Sequence, residues 1–396
     1  MNSLLLAANT AGYTTPQLWR ILTKTGYFIG LSGAIGTTVT YATTVLPSLR
    51  AAERTGGEDG THDAAVLRSR SAVYLAWAGV VLLVTGYFQL AARVARSGKG
   101  MPFGDALAPD RILDFLRAPA AKGAWISQGT VYLVQNAVLL ATAAALTALF
   151  VPAVRRHTDR VALAALPAAL AVTLIAAVPT TAPADLDRWL DLVLDQVHIV
   201  SGTVWLGGLA LLVALAGARG RLGDAAGPLW ADLWRRFSLV AMVCVGAVVV
   251  SGLWLTWKHV GAVSQLWTTG YGLALLVKVL LVLALVTAGA FNQFWLMPRI
   301  ARARRADDTA SLRHLTLHHF PKVVWGEVVL GVAVLAVVPF LAGSARTEAG
   351  SAKAVSSGSL FAAGAALVLA LAVSLYGTVK ASDALSRRAP AAPAAP

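Results

Sequence analysis

Apolar residues in this chain fill long unbroken runs instead of alternating with polar ones. Each run is about 20 residues, the length that crosses the hydrocarbon core of a bilayer as a helix. Nine runs are readable, at 20–46, 71–92, 128–151, 161–180, 192–217, 237–257, 271–297, 322–342 and 359–379. Gln135 and Asn136 interrupt the third and Pro167 the fourth, breaks that neighbouring helices can satisfy inside a membrane. The pattern predicts an all-α fold, a polytopic transmembrane bundle of about nine helices.

Composition strengthens this reading. The 396 residues are 57% hydrophobic and 13% charged, against about 25% charged in soluble domains, which excludes a soluble enzyme. The net charge of +14 could indicate nucleic acid, but its distribution points to membrane orientation. With the N-terminus outside, inward segments hold 20 of the 33 Lys and Arg and outward segments 12, six of those in the long loop 93–125. The expected topology is N-out and C-in, with basic cytoplasmic loops against lipid headgroups and no nucleic acid partner. Leu4–Ala8 is too short and lacks the basic lead of a cleavable signal, so the first helix is expected to act as the export signal. A single cysteine, Cys244, excludes a disulfide framework or a Cys-based zinc site. No phosphate-binding Gly-rich loop and no Gly-x-Ser-x-Gly is present, so neither a self-contained ATP-driven pump nor an enzyme is expected.

Candidate chemistry lies where polar side chains interrupt the apolar runs, because such groups are costly in lipid unless they face a partner, water or cargo. In the fifth run Asp191, Asp195, His198, Gly202 and Trp205 follow one another at spacings of 4, 3, 4 and 3, one stripe on one helix face. Asp195 and His198 can share a metal ion, relay a proton, or form a structural pair in which the carboxylate fixes the imidazole tautomer. The sixth run ends in Trp254, Trp257, Lys258 and His259. The tryptophans and lysine fit an interfacial belt, while His259 can close a metal site with His198. Lys278 and Asn292 share a face of the seventh run and Glu327 lies in the eighth. By helix rise, Lys278 sits about 12 Å and Glu327 about 22 Å below the outer surface, so direct pairing needs helix tilt or a long Lys reach; a structural ion pair, a polar network and a transport path all fit. His314, His318 and His319 have the spacing of a cytoplasmic metal cluster and equally that of a basic loop near anionic lipid. Met242 and Cys244 are soft copper-type ligands, but residues two apart diverge on a helix and read as packing.

At these positions the chain resembles the CopD family, the copper resistance D membrane proteins. The resemblance is carried by His198 followed by Trp205-Leu-Gly207-Gly208, by RFSLVAMVCVGAVVVSG from Arg236, and by LWTTGYGLALLVK ending at Lys278. FNQFWLMP ending at Pro298, and Glu327-x-x-x-Gly331, complete it. It is best over 198–342 and holds only in outline over 20–197. It implies an eight-helix domain over 20–342 that moves copper across the bacterial inner (plasma) membrane, inward, with a periplasmic CopC-type partner. His198 is then the leading metal-path residue, and Lys278, Asn292 and Glu327 are polar positions of the pattern. The rest of the chain divides into an outside segment 1–19, an outside linker 343–358, a ninth helix 359–379 and a disordered cytoplasmic tail 380–396. The resemblance departs in three respects: no fused copper-binding domain, no Met-rich loop among only four methionines, and the ninth helix.

Two competing readings remain. A b-type haem redox protein would need two facing intramembrane histidines, and only His198 lies securely inside a run. A non-transporting assembly subunit aiding copper delivery to a respiratory oxidase would use the ninth helix for docking. Copper is the expected metal and haem is not expected.

Overall fold

The computed structural model describes residues 13–98, 100–183, 185–223, 226–306, 314–315, 320–352, 354 and 358–387. Among them, nine helices are long and apolar enough to cross a membrane, and no strand is present. They are α1 (Leu18–Thr55), α2 (Gly57–Ser97), α3 (Gln128–Phe150), α4 (Thr158–Ala176) and α5 (Leu186–Ala216). α6 (Ala226–His259), α7 (Gly270–Ala303), α8 (Phe320–Val337) and α9 (Gly358–Arg387) follow. The chain is thus a multi-pass membrane protein, as its apolar runs predict.

Several helices outrun the apolar segments that mark them. α1 spans 38 residues and α2 41, roughly 60 Å each against about 30 Å of hydrocarbon. They meet in a tight turn beyond the membrane, where Gly57 takes a φ of 59°, a conformation that favours glycine. Leu46-Pro47 was expected to end the first span, yet α1 passes through it to Thr55. A π-helical turn over Tyr41–Val45 immediately precedes the proline, and its wider hydrogen-bond register accommodates the missing N–H. α5 starts at Leu186, capped by Asp185, whose Oδ1 accepts from Arg188 N at 2.9 Å. Asp191 therefore lies inside the helix.

Lipid gives helices no hydrophobic reason to associate, so packing and polar contacts must hold the bundle together. Its centre is α1 against α5. The first π-helical turn of α1, Ser32–Gly36, lies on the Gly207 face of α5, and a Cβ on Gly207 would run into the Ser32 carbonyl and Gly36. Fully buried Leu31, Ile35, Tyr41, Leu75, Leu211 and Trp234 fill the surrounding core. Beyond α5 the apolar surface faces outward, as lipid-facing helices require: Leu253, Leu280, Leu283 and Leu369 are half or more exposed.

Polar clamps mark the two ends. At the end where α1 meets α2, Arg68 pairs with Glu53 at 2.7 Å and Asp159 at 3.2 Å, and Tyr41 donates to Asp159. There too, Asp232 binds Arg235, Arg236 and the Ser48 hydroxyl. At the opposite end, Glu348 caps α7 by accepting from Gly270 N at 2.9 Å and Tyr271 N at 3.1 Å. The Tyr13 hydroxyl donates to Phe340 O at 3.0 Å beside it. The expected linker 343–358 thus contains an ordered helical turn, Ala345–Glu348, with Ser344 as its N-cap. α9 continues to Arg387, and the tail from 388 lies outside the described residues.

Candidate functional site

His198 sits mid-helix on α5 and points at α6, where Ser251 and Gly252 make room for it. A Cβ at Gly252 would stand 3.4 Å from His198 Cε1, so glycine lets the imidazole lie against the α6 backbone. Ser251 Oγ is 3.0 Å from His198 Nδ1. The serine proton is committed to Ala247 O at 2.6 Å, which leaves Oγ to accept from Nδ1–H. That arrangement puts the proton on Nδ1 and the lone pair on Nε2, the state in which imidazole binds a metal. The half-buried ring also stays within reach of cargo.

One turn toward the His259 end of α5, Asp195 is exposed. It is nevertheless within electrostatic reach of Lys24 on α1, Lys278 on α7 and His259 at the end of α6. Charged and imidazole groups from four helices, α1, α5, α6 and α7, therefore influence one another around Asp195, and this polar group is called the vestibule below. His259 stacks on Tyr271 with centroids 5.6 Å apart, and its Nδ1 lies 2.8 Å from Leu255 O. A carbonyl can only accept, so this nitrogen is the donor. Lys24 lies near the start of the first apolar run, and the packing of α1 on α5 brings it within electrostatic reach of Asp195.

Asp191, aligned with Asp195 in the sequence, has a different environment. Trp254 Nε1 donates to it at 2.9 Å, and Lys258 bridges it at 3.4 Å and Asp187 at 3.0 Å. Lys258 also lies over the Trp254 and Trp257 rings at 5.3 and 5.4 Å. These residues pin α5 to α6 at the mouth of the vestibule. The expected belt residues are therefore engaged with one another.

The stripe runs on to buried Trp205, which lines a cavity of about 210 Å³ between α5, α6, α7 and α8. Ser238, Met242, Asn292, Gln293 and Glu327 also line it, and Thr378 of α9 reaches its edge. Asn292 Nδ2 donates to Glu327 Oε1 at 2.6 Å, and the Ser238 hydroxyl donates to Gln293 Oε1. Asn292 and Gln293 are neighbours in sequence and would diverge on an α-helix. They begin the π-helical turn Asn292–Leu296 and both line the cavity, and such turns concentrate at functional sites. Met242 faces this cavity, while Cys244 is buried in the core. Glu327 bonds to Asn292, and Lys278 belongs to the vestibule: the two are separate stations.

His314 is exposed, and His318 and His319 lie outside the described residues. Among the described residues no three His, Cys, Asp or Glu side chains gather closely enough to hold a metal ion. Among the described residues the vestibule therefore gathers fewer than three such ligands at one point.

A multi-pass helical protein with histidine, carboxylate and amide groups strung through its interior is the class that these features define. Residues 231–341, which span α6 to α8, match the family described as Copper resistance protein D (CopD). A curated protein of Bacillus subtilis (strain 168), "Copper transport protein CutJ", is 28% identical over 200 residues, 50% of this chain and 35% of that protein. The chain therefore matches only about a third of the length of that relative. No solved structure matches the chain. Taken together, these findings describe a multi-pass membrane protein whose α6–α8 segment is similar to the copper resistance protein D family.

Proposed function

We propose that the protein moves copper across the bacterial inner membrane. Copper enters at the vestibule of Asp195, His198 and His259, passes Trp205, and leaves through the cavity of Asn292 and Glu327. The observation that carries this reading is the His198–Ser251 contact, which orients a half-buried imidazole on α5 against α6 inside an apolar helical bundle. A permanent metal site needs three or four ligands, whereas cargo in transit must also be released, and a sparse ligand set favours release. The matches to copper resistance protein D and to a copper transport protein agree with it.

The excess of Lys and Arg on inward segments orients the bundle with the vestibule outside. A periplasmic CopC-type protein then delivers copper there, and transport runs inward. Lys24 and Lys278 surround Asp195 with positive charge, so the vestibule neutralises its own carboxylate when empty and does not trap every passing cation.

His198→Ala tests this reading. In cells expressing matched amounts of each protein, copper accumulation above the empty-vector level is expected to disappear in the variant. Equal accumulation in wild type and variant would overturn the assignment.

A further inference from the structure

Glu327 is 3% and Asn292 8% exposed, yet among the described residues Glu327 forms no ion pair. Among the described residues the ion pairs involve other carboxylates, and Glu327 is the one titratable group lining its cavity. Helices α1, α5 and α7 pack against α8. Their charged and titratable groups nearest the interior, Lys24, Asp195, His198 and Lys278, are gathered at the vestibule. Arg299 and Arg302, beyond Asn292 on α7, donate to carbonyls of their own helix at 3.0 and 3.3 Å. An isolated buried carboxylate is expensive.

The amide beside it is half satisfied. Asn292 Nδ2 donates to Glu327 Oε1, while Asn292 Oδ1 is buried and has no hydrogen-bond partner among the described residues. An ionised carboxylate has no hydrogen to offer that oxygen; a carboxylic acid has one. One proton on Glu327 therefore removes the uncompensated charge and supplies the missing donor.

We propose that Glu327 and Asn292 form a proton site and that proton binding and release there accompany passage of the cargo. The carboxylate takes a proton from water in the adjoining cavity, becomes a neutral acid, and donates its new O–H to Asn292 Oδ1. Release reverses the step, and no electrons move. The π-helical turn over Asn292–Leu296 sets the amide against α8 and offers a local change of helical register for coupling. This inference rests on the transport reading for its role, but not for the existence of the site.

Two measurements test it separately. Infrared difference spectra of the purified full chain in lipid, taken across a pH titration, should show a protonated-carboxyl band that vanishes as pH rises. The band should be absent from Glu327→Gln and shifted in Asn292→Leu. Absence of such a band from wild type, or its persistence unchanged in Glu327→Gln, would overturn the site. Should Glu327→Gln fail to fold, the Asn292→Leu shift decides, and an unshifted band counts against the proposal.

In proteoliposomes containing a pH-sensitive dye, copper flux through wild type should be accompanied by proton movement and respond to an imposed pH gradient. Any copper flux through Glu327→Gln should lose that response. Wild type that moves copper without protons overturns the coupling. Wild type that moves no copper defeats the transport reading instead, and the infrared band alone then decides whether the proton site exists.

Discussion

His198 Nδ1 and Ser251 Oγ lie 3.0 Å apart across α5 and α6, and the serine proton is already given to Ala247 O. Ser251, together with the Val248 carbonyl, thereby orients the residue proposed to meet copper first. Ser251→Ala leaves Nδ1–H without this acceptor, which costs about 1–3 kcal/mol if no other group replaces it. Loss of such an orienting partner lowers metal affinity roughly 10–100-fold. Copper uptake measured against copper concentration should show a half-saturation raised by that factor. An unchanged half-saturation would assign Ser251 to packing.

The Asp191–Lys258–Trp254 clamp is expected to behave differently. Its ion pairs are partly exposed, at 16–30% for Lys258, Asp187 and Asp191, so each contributes on the order of 1 kcal/mol or less. Asp191→Asn should lower the thermal midpoint in detergent slightly, while copper uptake stays within about twofold of wild type. A loss as large as that from His198→Ala would move Asp191 from clamp to path.

Close approach of α1 and α5 gives a sharp stability contrast within one helix. A Cβ at Gly207 meets the Ser32 carbonyl and the Gly36 backbone, whereas one at Gly202 meets nothing within 4 Å. Gly207→Ala should destabilise by about 3 kcal/mol or more, because backbone and not a flexible side chain must yield. Gly202→Ala should be neutral or slightly stabilising. Thermal unfolding followed by circular dichroism compares the two directly.

At the vestibule end, Tyr13 supplies a pH dependence. Burial, and secondarily the Glu348 carboxylate, hold its hydroxyl above the usual tyrosine range, so the neutral form is favoured in the folded protein. The sign follows from linkage. Stabilisation by Tyr13 is complete below the unfolded pKa, about 10, and is lost as pH rises through the higher folded value. Thermal midpoints of wild type should therefore fall more steeply in alkali than those of Tyr13→Phe, which cannot ionise.

Much of this arrangement is legible in the sequence because lipid imposes simple rules. Unbroken apolar runs mark all nine helices, and His198 and Glu327 are visible as polar side chains within those runs. What the sequence hides depends on partners and on helix register. Lys24 looks like a terminal charge until α1 packs on α5. Ser251 resembles any small residue in a membrane helix until His198 is placed against it. Asn292 and Gln293 both line one cavity where the helix widens, and no periodicity announces a π-helical turn. Helix ends were also hidden, since α1 and α2 continue past the membrane, where apolar composition no longer marks them.

The central claim is that His198 carries copper through this bundle, and purified protein in proteoliposomes tests it without cellular partners. Radioactive copper uptake should be fast and saturable with wild type and fall to the protein-free rate with His198→Ala, at equal protein incorporation. Wild-type uptake no faster than protein-free liposomes, or full uptake by His198→Ala, would contradict the account.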